Sequence, residues 1–366
     1  MSRTLLPPEE VKTEVNTPYP KLGIRWTILL MLMVGLAFVF GLSLALGSVA
    51  IPFGEVFTIL FGGTPSRATW TDIVWKFRLP KAVTAMLAGA ALSVGGLQMQ
   101  TLFRNPLADP FVLGVNSGAS LGVALVVLGS GIIGTGSFFL AGLVGISNFS
   151  LVIAASLGAA AVLGLVLVVS HRVQSGVTLL VLGLMFGYIT QSIVSILLYL
   201  SQSERVQAYL NWTFGSFGGV TWTQMQAYAP AVIIGLVVAL FLPKQLNALL
   251  LGDDYARSMG VSVRWARFLI IGSTAVLAGA VTAFCGPISF LGLAVPHLCR
   301  SLFKTSDHRV LIPATILLGA IVAALADIIA QLPGSGAILP VNAVTALLGA
   351  PVVIWVIVRR KSGIKI

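Results

Sequence analysis

A helix needs about twenty apolar residues to cross the hydrocarbon of a bilayer, and this chain supplies such runs along most of its length. Ten are legible, at 26–48, 80–103, 110–130, 148–170, 176–201, 223–243, 264–285, 294–304, 309–331 and 341–358. The eighth is short, and the "CGPISFLGLAVPH" that leads into it carries two prolines and two glycines. Such a stretch is tolerated at membrane depth only when it is buried among other helices, so a broken or re-entrant element is expected there. Between the first two runs, "IPFGEVFTILFGG" is too short to cross and is expected to lie at the interface. With 22 basic and 11 acidic residues in 366, and a mean hydropathy of +1.00, charged surface is too sparse for a soluble core of this size. The 39 glycines suit closely packed membrane helices. The expected fold is an all-α polytopic membrane protein with about ten transmembrane helices. Residues 1–25 read as a tail rather than a cleavable signal, and 26–366 as one transmembrane domain containing a polar loop at 244–264.

The cations orient the chain. An even number of spans puts both termini on one side, and placing them in the cytoplasm leaves seventeen of the 22 basic residues there, as the positive-inside rule requires. This scatter between apolar runs also argues against a nucleic-acid partner. Three of the five remaining cations, Lys76, Arg78 and Lys81, crowd into "KFRLPK" at 76–81. Cations on the disfavoured side either anchor at the membrane surface or receive anionic groups. An internal echo links "AVTAMLAGAA" at 82–91 with "TAVLAGAVTA" at 274–283. Each carries small residues every fourth position, which permits close helix crossing, and the two runs point in opposite directions, as in inverted-repeat transporters.

Several chemistries are missing from the sequence. It has no Gly-Lys dipeptide and hence no phosphate-binding loop. His171, His297 and His308 lack metal-ligand spacing and read as interfacial or helix-capping imidazoles. Cys285 and Cys299 read as small buried hydrophobes. Asp327 is the one clear intramembrane acid and reads as a capped structural residue, with Asp109 at the start of a run. Sparse intramembrane acids speak against an ion-coupled carrier, and no polar constellation suggests a membrane-embedded enzyme. The loop "PKQLNALLLGDDYARSMGVSVRWAR" at 243–267 is too polar to span but helical in pattern. Short amphipathic helices of this kind can lie on the bilayer or enter a groove on a partner, which points to a separate ATPase subunit.

Four stretches resemble the permeases of bacterial importers for ferric siderophores, haem and cobalamin. They are "RLPKAVTAMLAGAALSVGGLQMQTLFRNPLADPFVLGVNSGASLG" (78–122), "NALLLGDDYARSMGVSV" (247–263), "GPISFLGLAVPHLCRSLFKTSDHRVLIPATILLGAIVAALADIIA" (286–330) and "LPVNAVTALLGAPVVIWVI" (339–357). "RNPLADP" and "GLAVPHLCR" with "DHRVLIP" are the most specific, and the likeness runs from about residue 70 to the C-terminus. The resemblance implies ten helices in inverted halves, a homodimer in the bacterial inner membrane with a translocation path along its interface, and two cytoplasmic ATP-binding subunits. ATP and Mg would be used by those subunits, with no cofactor on this chain.

It also implies an extracytoplasmic binding protein whose acidic residues dock on basic ones. The docking positions map to Arg78, Lys81 and Gln331. Lys81 stands where arginine is common, which removes bidentate carboxylate pairing. Gln331 stands where a basic residue can occur, and Ile338 and Asn342 also depart from the family pattern. Asp253, Asp254, Arg257 and Gly260 map to the ATPase-coupling helices. Ser175, Gly176, Val177 and Thr178 map to a cytoplasmic gate region, and Gly114, Asn116 and Gly118 either shape the path or serve close packing. Ferric siderophore is the first expected cargo, with haem and cobalamin as alternatives.

Overall fold

The computed structural model describes residues 22–129, 150–170, 176–331 and 338–361, among which there is no β-strand. Every one of the ten apolar runs contains a helix, because a backbone in lipid has to satisfy its own polar groups. Helix α1 is Leu22–Ala45, followed by a short α2 at Phe53–Leu60 and α3 at Ala68–Asp72. Then come α4 (Leu79–Leu102), α5 (Val115–Val127), α6 (Ser150–Ser170), α7 (Gly176–Tyr199), α8 (Ser203–Thr213) and α9 (Trp222–Leu240). The expected polar loop forms α10 (Pro243–Leu250) and α11 (Asp253–Ser258). The chain closes with α12 (Val263–Cys285), α13 (Leu291–Phe303), α14 (His308–Ala330) and α15 (Val341–Lys361). Six of these elements are long and apolar enough to cross a membrane, and four shorter apolar helices accompany them. The stretch after α1 that is too short to cross forms a short helix: α2 buries Val56 and Ile59 and exposes Phe53 and Phe57.

Helix α4 is the centre of the fold. Every residue from Ala88 to Leu102 is buried, and α4 packs against α9, α12, α13 and α14. Its glycines set how close those neighbours come. A Cβ on Gly89 would lie 2.1 Å from the Gly319 carbonyl oxygen of α14, and one on Gly96 would lie 1.9 Å from that of Gly292 in α13. The ridge of small residues legible around Gly89 and Ser93 is therefore a backbone-on-backbone crossing. Gln98, also fully buried, accepts hydrogen bonds from Ser273 and Thr274 of α12 at 3.0 and 2.7 Å. Gly118 is used in the same way, its Cβ position lying 2.4 Å from the Gly158 carbonyl oxygen of α6.

Two irregularities shape the functional ends. Between α3 and α4 the chain makes a π-helical turn, Ile73–Arg78, in which the Leu79 N–H reaches back to the Val74 carbonyl. In that register the next carbonyl, that of Trp75, would bond to residue 80, but Pro80 has no N–H to give. The Trp222 indole N–H fills the vacancy at 2.7 Å. The second irregularity is the broken element expected before the eighth run. Residues 286–290 are non-helical, with Gly286 and Phe290 at φ +75° and +70°. The neighbouring backbone is satisfied from elsewhere: Ser289 N–H donates to Asn342 Oδ1, and Ser216 N–H to the Cys285 carbonyl. Asn342 thus has a structural use at a position where the sequence looked unusual.

Candidate docking and coupling sites

Helices α4 and α14 run antiparallel and carry candidate residues at both ends. At the "KFRLPK" end, the three cations have three different fates. Lys76 is exposed and pairs with Asp72 one helical turn away at 2.7 Å. Arg78 is 8% exposed. Its guanidinium donates to the carbonyls of Leu44 (2.7 Å), Ala45 (2.9 Å) and Val49. Leu44 and Ala45 close α1, where helix carbonyls lack intrahelical partners and a cation is favoured, and Val49 lies in the bend that follows. Arg78 is thus buried against these carbonyls, where docking called for a cation presented at the surface. The sequence could not reveal this, because the carbonyls come from a separate helix and the bend after it.

Lys81 forms an ion pair with Asp327 of α14, Nζ to Oδ1 at 3.1 Å. The lysine side chain is 21% exposed and the aspartate 2%. Gln331 completes the group, donating from Nε2 to Asp327 Oδ2 at 2.8 Å. Two of the three residues mapped to docking, Lys81 and Gln331, therefore meet around one buried carboxylate that the sequence marked only as structural. Beside the pair lies a cavity of about 180 Å³, lined in part by Lys81, Ser216, Asp327, Gln331 and Ile338.

At the opposite end, α10 braces against the same two long helices, and α11 packs on α10 and α12. Asn247 donates to Asp307 at 2.8 Å, and its Oδ1 accepts from the His308 N–H at 3.0 Å and lies 2.7 Å from His308 Nδ1. The other ring nitrogen of His308 is 2.8 Å from the Thr101 hydroxyl of α4. One buried imidazole thereby ties the loop to α14 and α4 together. Burial pushes the Asp307 carboxyl up. Hydrogen bonds from Arg309 N–H and Asn247, with the charges of Arg309 and His308, outweigh burial and hold it below the usual carboxylate range. Close by, Arg300 of α13 donates to Gln100 of α4 at 2.6 Å, and Gln100 reaches the Gly292 and Leu293 carbonyls. Asn247, Thr101 and Gln100 carry no sequence signal of their own. They become visible only when the helices are brought together.

The four residues mapped to coupling divide. Asp253 turns inward and pairs with Arg267 of α12. Asp254, 98% exposed at its side chain, pairs with Arg257, 55% exposed, at 2.9 Å. Gly260, at φ +77°, turns the chain after α11, a conformation that costs other residues strain. Asp253 and Gly260 therefore hold the loop's shape, while Asp254 and Arg257 present themselves outward. Of the gate residues, Ser175 lies outside the described residues. Gly176 and Val177 open α7, and Thr178 is exposed in its first turn. Asn116, half-buried at the start of α5, keeps a buried Oδ1 that has no hydrogen-bond partner among the described residues.

Helix α7 is little buried: 17% of its apolar stretch is covered by the chain, close to the 22% of α1 and far from the 83% of the unit that contains α4. Along its exposed side, Tyr188, Ser192, Ser195 and Tyr199 recur at intervals of four, three and four residues, which is one helix face. The serine hydroxyls donate to the carbonyls of Tyr188 and Gln191 at 2.8 and 2.9 Å.

Residues 35–359 match the model of the FecCD transport family. The "Vitamin B12 import system permease protein BtuC" of Shigella boydii serotype 18 is 36% identical over 340 residues, 93% of this chain and 96% of that one. The protein of that name from Escherichia coli O9:H4 gives the same figures. A solved structure of a metal-chelate type ABC transporter in an inward-facing conformation superposes with a TM-score of 0.78 at 28% identity, covering 91% of this chain and 99% of that one. The matched span takes in both ends of the α4–α14 pair and the loop between α9 and α12, and the chain belongs to the FecCD transport family of ABC-importer permeases.

Proposed function

We propose that this chain is the permease subunit of a binding-protein-dependent importer of a metal chelate, powered by ATPase subunits that it does not itself contain. The observation that carries the reading is the α10–α11 pair. It is a short helical element projecting from a membrane domain, exposing Asp254 and Arg257 and hydrogen-bonded through Asn247 to His308 of α14, whose ring in turn meets Thr101 of α4. A motor subunit that pushes on α10 and α11 would move α4 and α14 directly.

In this reading ten helices span the bacterial inner membrane in two inverted halves, with both termini in the cytoplasm. Two copies face each other across the exposed side of α7. The Tyr188–Tyr199 stripe supports that arrangement, because exposed polar groups are disfavoured against lipid and suited to a water-filled path. The extracytoplasmic binding protein docks at the Lys81 end. Ferric siderophore, cobalamin and haem are the candidate cargoes, and the relatives named for vitamin B12 import bring cobalamin level with the siderophore.

Proteoliposomes holding this chain with its cognate ATPase and binding protein should accumulate one of the three labelled chelates only when ATP is enclosed. Accumulation driven equally by an ion gradient without ATP would overturn the importer reading. The loop makes its own prediction. Asp254→Ala with Arg257→Ala removes an exposed pair worth about 1 kcal/mol at most, so thermal stability should be unchanged. Uptake should fall roughly tenfold if these side chains seat the motor, the scale of a lost interface contact. Uptake at the unmodified rate would remove them from the coupling surface.

A further inference from the structure

We propose that the Lys81–Asp327 pair is an exchangeable clasp: a carboxylate of the docked binding protein takes Lys81 away from Asp327 and so releases α4 from α14 at that end. The inference rests on the docking reading and adds to it what docking does to the permease.

Three features of the pair favour exchange over a fixed strut. Its two members are unequally accessible, the lysine side chain at 21% and the aspartate at 2%, so an arriving anion meets the cation first. The adjoining cavity of about 180 Å³ is lined by both members of the pair. A water molecule's share of liquid is about 30 Å³, so a carboxylate-bearing side chain has space to enter. Lysine also holds Asp327 through a single ammonium on a flexible stem, which can swing to a new partner without breaking a two-pronged fork.

Gln331 sets the balance of the exchange. Its neutral amide bonds Asp327 Oδ2 at 2.8 Å, which steadies the carboxylate without cancelling its charge. A basic residue at 331 would neutralise Asp327 permanently, and Lys81 could then leave at little cost. With glutamine there, Lys81 is the charged partner that ties Asp327 of α14 to α4, and its departure removes that ionic tie. The incoming anion is a protein carboxylate, because only a side chain fixed in a docked surface couples the exchange to the presence of the loaded partner.

The test uses the reconstituted complex of permease, ATPase and binding protein. Asp327→Asn keeps the amide-sized contact to Gln331 and frees Lys81. ATP hydrolysis without binding protein should then rise roughly fivefold, the lower range of allosteric coupling, and adding binding protein should change it little. Hydrolysis that stays at the unmodified basal rate and still responds fully to binding protein would overturn the clasp. Lys81→Arg tests the opposite sign: a bidentate fork should grip Asp327 and blunt stimulation by binding protein with no loss of thermal stability. Undiminished stimulation there counts against the clasp, and this variant decides the matter if Asp327→Asn fails to assemble.

Direct capture of binding protein on Lys81→Gln/Asp327→Asn separates the two layers. Affinity reduced roughly tenfold supports docking through Lys81, and unchanged affinity removes Lys81 from the docking surface. Reduced affinity together with an Asp327→Asn that keeps the unmodified basal rate and responds fully to binding protein would leave docking standing and sink the exchange alone. Equal stimulation by free acetate or glutamate, with no binding protein present, would show a small-anion site and overturn the assignment to a docked carboxylate.

Discussion

Gly96→Ala is expected to be among the most damaging single-methyl changes available in this chain. Alanine is the better helix former by about 1 kcal/mol, so an unpacked site would gain stability. Here the added Cβ falls 1.9 Å from the Gly292 carbonyl oxygen and 2.4 Å from its carbon. Those atoms are backbone and cannot rotate aside, so α13 must retreat from α4. The cost should reach about 3 kcal/mol, the upper range of overpacking. Gly272→Ala in α12 is the matched control, since nothing lies within 4 Å of its Cβ position. Thermal unfolding of the two variants in detergent should give shifts of opposite sign. A Gly96→Ala protein as stable as the unmodified one would mean that the α4–α13 crossing is looser than described.

The second large effect is at Arg78. A docking cation on the surface can be replaced with loss of transport and no loss of stability. Arg78→Met should instead destabilise the fold by on the order of 3 kcal/mol, because the buried carbonyls of Leu44 and Ala45 and the part-buried one of Val49 lose their charged donor together. Arg78→Lys should recover part of it, since one ammonium cannot reach all the carbonyls that a guanidinium spans. Heating followed by size-exclusion chromatography reads both variants. If Arg78→Met keeps the stability of the parent and loses only capture of the binding protein, the buried assignment is wrong and the surface role returns.

The contrast between Gly89 and Arg78 shows what the amino-acid order reveals. The repeated small residues around Gly89 carry a period, and a period survives into packing, so the close crossing with Gly319 was foreseeable in kind. The apolar runs and the polar loop are legible for the same reason, and so was the broken stretch before α13, because proline and glycine act locally. Arg78, by contrast, looks identical whether it faces water or the end of another helix. Its fate depends on where α1 stops in space. Asp327 was recognisable as an intramembrane acid, but its partner Lys81 lies on a helix far away in sequence. The Asn247–His308–Thr101 tie joins three segments with no local pattern between them. The π turn was hidden because Pro80 forbids one hydrogen bond without dictating which wider register replaces it.

The place where α4 and α14 touch has a mechanical consequence. Their backbones meet at Gly89 and Gly319, eight residues from the Lys81–Asp327 pair and eleven or twelve from the Thr101–His308 contact. At 1.5 Å per residue these are arms of about 12 and 18 Å on either side of a fulcrum. The two helices then work as a pair of shears, in which spreading the handles by about 2 Å moves the blades by about 1.3 Å. Added to the 3.1 Å contact between Lys81 and Asp327, that stroke takes the charges beyond the roughly 4 Å that defines an ion pair. A small push on one side of the membrane is thus geared to undo a single bond on the other.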